Sequence, residues 1–191
     1  MLATLLTFGK TNGYFDIKRI GDFDNAVSEG FSHINTQAIH FDKTKEKICK
    51  ECKQESIKSC DALHIIPNKN RINFIEFKQI IDNSNLIRWT TGLNLAQKIK
   101  DSKEVLLLIL RNPQIVHSDK VNKFNNLEKN VIISFDVLTS SKNKIYVYIK
   151  YFQVKQLIIK ELKNIIPGEN FNNPECIKTN EFDIEYPRRF L

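Results

Sequence analysis

Residues 60–80 are the feature that most constrains the fold of this chain. They comprise two apolar segments, CDALHII and RINFIEFKQI, separated by a short polar stretch at 67–70. Two such segments joined by a tight turn predict a β-hairpin. A turn centred on the two middle residues of that stretch places Asp61 directly opposite Glu76. The sequence therefore predicts both the hairpin and its register.

The predicted hairpin gathers charge on one face. Side chains alternate along a strand, so Glu76 and Lys78 share a face, and Asp61 lies across from Glu76. Like charges facing each other across strands are destabilising. We expect a bound divalent cation to offset this cost, and Mg²⁺ is commonly held by one or two carboxylates plus waters. The alternative is an ordinary hairpin with a solvated charged face, in which Lys78 pairs with either acid.

The remaining pattern predicts an α/β fold, a mixed β-sheet with a central hairpin flanked by helices. We expect one domain over 1–191 with a core at about 22–166. Residues 1–20 show no clear period. The other predicted elements, in chain order, are a helix at 22–36, a strand at 37–42, a cysteine-bearing connection at 43–59, the hairpin, a loop at 82–92, a helix at 93–111, strands at 131–138 and 145–151, a helix at 152–166, and an irregular tail at 167–191 with a short edge strand at 181–186.

Two of these predictions depend on local patterns. The helix at 22–36 depends on an apolar stripe at helical spacing, formed by Phe23, Ala26, Val27, Phe31 and Ile34. The helix at 93–111 contains the continuous apolar run 105–110, which could instead be a strand.

The charge balance favours a polyanionic partner. Lysine and arginine number 29 against 22 aspartate and glutamate, a formal net charge of +7, which suits nucleic acid. A surface kept soluble by lysines explains the same count. Polar and basic residues that could face phosphates are Gln97, Lys98 and Lys100 on the helix after the hairpin, and Lys142, Lys144, Lys150, Lys155, Lys160 and Lys163.

Asp61 followed by Phe74-Ile75-Glu76-Phe77-Lys78 resembles the PD-(D/E)XK nuclease superfamily. The family pattern is an Asp, a gap of ten to twenty residues, and Glu-X-Lys in an apolar second strand; here the gap is 14 residues. Cys60 stands where the family pattern has Pro. The resemblance covers about 22–166 and implies a restriction-endonuclease-like fold.

The resemblance also implies roles for residues. Asp61 and Glu76 would bind Mg²⁺ or Mn²⁺, the backbone carbonyl of Phe77 would be a third ligand, and Lys78 would be the catalytic lysine. Many family members add an acid from the first helix, for which Glu29 is the candidate.

We therefore expect a metal-dependent nuclease that hydrolyses phosphodiester bonds, in DNA rather than RNA, in a defence, repair or mobile-element setting. A partner protein or a homo-oligomer could supply specificity. Two alternatives stay open: a non-catalytic nuclease-like binding protein, such as an immunity or accessory subunit, and a small zinc-stabilised interaction module.

The zinc alternative depends on Cys49, Cys52 and Cys60. Cys-X-X-Cys is a common zinc knuckle, and His64, His40 or Cys176 could complete the ligand set. Unrelated reduced thiols explain the same residues. Four cysteines without a secretory pattern favour a reducing compartment, by default the cytoplasm. No apolar run reaches the roughly 18 residues of a membrane span.

Overall fold

One mixed sheet of six strands organises the fold in a computed structural model that describes residues 1–53, 57–81, 94–115, 119–163 and 171–191. The strands lie side by side in chain order: β1 Ile17–Arg19, β2 Gln37–His40, β3 Ala62–Ile66, β4 Arg71–Ile81, β5 Glu128–Leu138 and β6 Glu175–Lys178. Neighbours from β1 to β4 are antiparallel, whereas β4, β5 and β6 run parallel.

Helices cover this sheet. Their bounds are α1 Leu2–Thr11, α2 Phe41–Cys52, α3 Leu95–Arg111, α4 Lys120–Asn125, α5 Lys144–Lys163 and α6 Phe182–Phe190. Single 3₁₀ turns occupy Ile20–Asp22, Pro67–Lys69 and Thr179–Glu181. The expected α/β class, with a mixed sheet flanked by helices, is confirmed. None of the helices in the described part of the chain combines the length and apolar character that crossing a bilayer would require.

Both faces of β4 are buried. Phe74 and Ile80 belong to the larger core, which contains buried residues of α1 to α5. Ile75 and Phe77 point the other way, into a second core with residues of the segment 20–34 and of α6. A strand covered on both faces is typically apolar throughout. Charged side chains are therefore unusual in a strand such as β4, which is buried on both faces.

The hairpin prediction is confirmed, register included. Ala62 pairs with Ile75 and Ile66 with Arg71, as the predicted turn requires. Asn70 closes the turn in the left-handed conformation, at φ 51°, which asparagine tolerates better than most residues. The helix expected at 93–111 is also present as α3, and the apolar run 105–110 belongs to it.

The helix predicted at 22–36 is wrong. This segment is a 3₁₀ turn followed by tight turns. Gly21 approaches the backbone at 32–34 so closely that an added Cβ would lie 2.2 Å from the Ser32 carbonyl oxygen, and Gly30 has φ +77°. The apolar pattern still marks the core, since four of the five stripe residues are buried and only Val27 is exposed.

The connection predicted at 43–59 begins as a helix, because α2 spans Phe41–Cys52. Its residues Lys43 to Lys50 include mostly good helix formers, and its buried positions Phe41, Thr44 and Ile48 follow a helical period.

The strand predicted at 145–151 is wrong, because these residues form the first turns of α5. The Oδ1 atom of Asn143 accepts hydrogen bonds from the backbone N–H groups of Ile145 (2.9 Å) and Tyr146 (3.3 Å). Such a side-chain cap favours a helix start and outweighs the alternation of β-branched and aromatic residues.

The prediction of an irregular tail at 167–191 is also wrong over its described part. β6 lies at Glu175–Lys178, and α6 replaces the edge strand expected at 181–186. Phe182, Tyr186 and Phe190 are buried at intervals of four residues, which is a helical period. The 1–20 segment contains α1 and β1, and the loop expected at 82–92 lies outside the described residues.

Candidate active site

The end of β3 creates the candidate site. β3 begins at Ala62, so Asp61 precedes it and lies opposite Glu76 in continuation of the register. Beyond Ile75, β4 has no partner residue on that side within β3. The Oδ2 atom of Asp61 instead accepts a 2.7 Å hydrogen bond from the Phe77 backbone N–H. A side chain thereby replaces the missing strand.

Asp61 is held on a second side by a residue outside the hairpin. The Asn25 side-chain amide donates to Oδ1 of Asp61 at 3.2 Å. Asp61 is 2 % exposed, so both contacts act where water is largely excluded. No pattern in the sequence indicated Asn25.

Glu76 is 1 % exposed and lies between two lysines. The ammonium group of Lys78 is 3.2 Å from Oε1 of Glu76, and that of Lys98, on α3, donates to the same oxygen. The predicted common face of Glu76 and Lys78 is therefore a direct contact. The other oxygen, Oε2, is buried and has no hydrogen-bond partner among the described residues, an arrangement that is costly in a protein interior.

Ser102 helps to dock α3 against the hairpin. Its hydroxyl accepts a 2.9 Å hydrogen bond from the Cys60 backbone N–H and donates a 2.7 Å hydrogen bond to the carbonyl oxygen of Lys98. This bridge connects the residue before Asp61 to the turn of α3 that carries Lys98. Of the three polar residues proposed on this helix, Lys98 is thus the one in contact with the hairpin acids.

Glu29 lies at the site, although the helix that was predicted to carry it is not formed. It lies in the turns that follow the 3₁₀ segment, and its Oε1 atom is 3.6 Å from the ammonium group of Lys78. Lys78 therefore bridges two acids, Glu76 and Glu29.

Burial and charge shift the acid–base properties of the cluster. Burial raises the pKa of Asp61 to about 7, the charge of Glu76 adds to the rise, and Lys78 and Lys98 oppose it. For Lys78, burial acts to lower the pKa, but the charges of Glu76, Asp61 and Glu29 outweigh it, and the net pKa is raised. The pKa of Lys98 is raised in the same way. Both lysines therefore carry positive charge at neutral pH.

These ammonium groups take over the role for which a bound cation was expected. The sequence suggested that repulsion between Asp61 and Glu76 needs a bound divalent ion, but Lys78 and Lys98 already supply opposite charge. Repulsion alone does not require a metal ion. The contacts among the described residues leave two buried atoms of the site without a hydrogen-bond partner, Oε2 of Glu76 and Oδ1 of Asn25.

The three cysteines proposed as a zinc site lie in different surroundings. Cys49 is buried and Cys52 exposed on the last turns of α2, so the pair lies within a helix. The Cys60 thiol donates to the Ala62 carbonyl oxygen at 3.3 Å, and burial raises its pKa. Within the described ranges, no three or more His, Cys, Asp or Glu side chains are grouped to hold a metal ion.

No protein-family model, curated protein or solved structure matches the chain. A function for this chain therefore has to be inferred from the geometry and chemistry of the site.

Proposed function

We propose that this protein is a metal-dependent nuclease of the PD-(D/E)XK type that hydrolyses phosphodiester bonds, in DNA rather than RNA. The observation that carries the proposal is the buried pair Asp61 and Glu76. Two lysines contact one oxygen of Glu76, and its second oxygen, though buried, has no hydrogen-bond partner within the described ranges. Strongly perturbed groups that converge in this way are typical of functional sites.

The order of elements supports the resemblance on which this proposal partly depends. The hairpin of β3 and β4 is followed by α3 and then by β5, which lies parallel to β4. A restriction-endonuclease-like fold requires such a hairpin, helix and strand. We therefore propose that the sheet and its helices form a restriction-endonuclease-like fold.

The residues present fit a hard, hydrated cation such as Mg²⁺ or Mn²⁺. Asp61 and Glu76 would hold it, and Mg²⁺ takes one or two carboxylates and keeps several waters. The N–H and C=O of one strand residue point to the same side, so the Phe77 carbonyl points to the side on which Phe77 N–H meets Asp61. When bound, the ion would supply positive charge at the phosphate and lower the pKa of a bound water.

The lysines of the site would position the phosphate or the attacking water and neutralise negative charge. Lys78 is a cation at neutral pH because Glu76, Asp61 and Glu29 surround it, so in this arrangement it cannot act as a proton acceptor. Its ammonium group would donate hydrogen bonds to a phosphate oxygen or the attacking water. Fixed donors of this kind stabilise the charge that develops as a phosphodiester is cleaved.

One observation favours the second candidate, a non-catalytic nuclease-like binding protein. Lys78 pairs with Glu76 and Glu29, and Lys98 pairs with Glu76, so these charges are balanced without a metal ion, as in a structural ion-pair network. Activity separates the two candidates.

The test is a cleavage survey with purified wild-type protein. Plasmid DNA, single-stranded DNA and RNA are incubated with Mg²⁺ or Mn²⁺ and, in parallel, with chelator. We expect metal-dependent cleavage of DNA and its loss in Lys78→Met. The absence of cleavage for every substrate and both metals would contradict the proposal and favour the binding protein.

A further inference from the structure

The first half of α5 exposes an apolar stripe. Its members are spaced as i, i+3, i+4 and i+7 and are 48–71 % exposed: Ile145, Tyr148, Ile149 and Phe152. The opposite side of the helix is buried through Val154, Ile158 and Leu162. The stripe is therefore an outward face of a helix that is already docked on the sheet.

The segment that carries this stripe is basic. The segment 142–155 contains four lysines and no acidic residue. One of them, Lys150, lies 5.4 Å from the centre of the Tyr146 ring. Cations placed around exposed aromatic rings are typical of surfaces that bind single-stranded nucleic acid.

The helix α5 packs one strand away from the candidate active site. Lys78 is paired with Phe135 in the parallel register of β4 and β5, so the two side chains share a face. The Tyr151 ring of α5 stacks on the Phe135 ring, with centroids 4.6 Å apart. One side chain of β5 thus separates Lys78 from α5.

A cleft of about 490 Å³ extends this surface. Its lining includes Tyr148 and Tyr151 of α5 and three lysines: Lys142, Lys144 and Lys178. The ammonium group of Lys178 lies 5.5 Å from the centre of the Tyr151 ring. Aromatic faces and cations thus line the same opening, together with one acidic residue, Asp136.

We propose that the amino-terminal half of α5 binds a single strand of nucleic acid beside the active site, with unpaired bases on Tyr148 and Phe152 and phosphates on the lysines. This proposal specifies the substrate of the proposed nuclease as a strand that is single at the site. A duplex would not offer its base faces to exposed rings. A second copy of the chain fits less well, because an α5–α5 contact would oppose lysines without carboxylates in 142–155 to pair with them.

The test is binding in chelator, which needs no catalysis. Fluorescence anisotropy follows a labelled deoxythymidine oligomer of about 20 nucleotides and a duplex of equal length. We expect Tyr148→Ala/Phe152→Ala to raise the Kd for the single strand by roughly tenfold or more, with a smaller change for the duplex. Lys144→Gln/Lys150→Gln should weaken binding of both and reduce its salt dependence.

Two matched variants serve as controls. Ile184→Ala removes an apolar side chain that is 71 % exposed on α6 and should leave the Kd unchanged, and Tyr148→Phe should retain binding because it retains the ring. An unchanged single-strand Kd in the double alanine variant would overturn the proposal. So would self-association that this variant abolishes, or binding of anionic vesicles in preference to the oligomer. Stripe-dependent binding without any cleavage would sustain the strand site while refuting the nuclease.

Discussion

Lys78 on β4 and Lys98 on α3 both contact Oε1 of Glu76. The two lysines are 20 positions apart in sequence, and their ammonium groups converge on one buried oxygen. In the part of the chain that the structure describes, Oε2 of Glu76 is left as a buried acceptor without a hydrogen-bond partner. The convergence makes Lys98 a member of the candidate site, although it lies outside the Glu-X-Lys motif.

Lys98→Met should therefore reduce cleavage. Its ammonium group fixes Glu76, and we expect a loss of about 10- to 100-fold in the single-turnover rate together with about 1–3 kcal/mol of stability. Lys100→Met, on the same helix, is the matched control and should retain the wild-type rate. Equal rates for Lys98→Met and wild type would remove Lys98 from the site.

Asp61 should make the metal-free protein less stable as the pH rises. The folded carboxyl, with its pKa raised to about 7, keeps its proton, whereas in the unfolded chain it ionises near an ordinary pKa of about 3.9. Between these values the folded state binds more protons, so the free energy of unfolding falls with increasing pH.

Urea denaturation in chelator, with wild type and Asp61→Asn side by side, measures this effect. The stability of Asp61→Asn relative to wild type should rise from about pH 4 to pH 7, by on the order of a few kcal/mol. Saturating Mn²⁺ should reduce the wild-type slope, because a bound cation favours the ionised carboxylate. A difference between the two proteins that stays constant with pH would contradict the burial argument.

Mn²⁺ binding should depend on both acids. In a calorimetric titration we expect one site in the wild type and a loss of at least about tenfold in affinity for Asp61→Asn and for Glu76→Gln. Glu175→Gln is the control, because Glu175 pairs with Arg189 on the surface, on β6. Equal heats for the two acid variants and wild type would place the ion elsewhere.

Asp183 should anchor α6 to the loop before β2. Its carboxylate accepts hydrogen bonds from the backbone N–H groups of Asn35 (2.7 Å) and Thr36 (2.9 Å) and from the Thr36 hydroxyl (2.7 Å). Burial acts to raise its pKa, but these hydrogen bonds outweigh it and the pKa is lowered.

Asp183→Ala should then cost about 1–3 kcal/mol at neutral pH. Since the folded pKa is depressed, the contribution is complete above the unfolded pKa of about 3.9 and is lost as the pH falls through the folded value. Thermal melts of both proteins from pH 7 to pH 3 follow this loss. A gap that is as wide in acid as at neutral pH would point to packing rather than charge.

Local patterns predicted the part of the site that is local in sequence. The turn and alternation of 60–80 predict the hairpin register, which places Asp61 opposite Glu76. Lys98 was visible only as a basic residue on the next helix, since the bridge of Ser102 to Cys60 that docks α3 is a tertiary contact. Asn25 contacts Asp61 from the turns within 22–36. The apolar stripe of that segment predicted a helix instead.

The same limit applies to the second half of the fold. The alternation of 145–151 indicated a strand, whereas the cap by Asn143 and the packing of Tyr151 on Phe135 favour a helix. In the tail, the interval of four between Phe182 and Tyr186 and between Tyr186 and Phe190 was a usable signal. The sequence does not show which residues pack on these rings, because those contacts form only when the chain folds into the sheet.

The most direct test of the central claim is the single-turnover cleavage rate of Glu76→Gln in Mg²⁺, next to wild type. The substitution keeps the shape of the side chain and an oxygen for the lysines but removes the charge that would hold the cation. We predict a rate at least about 100-fold below wild type, with the fold retained by circular dichroism. A Glu76→Gln protein that cleaves at the wild-type rate would contradict the assignment of this site.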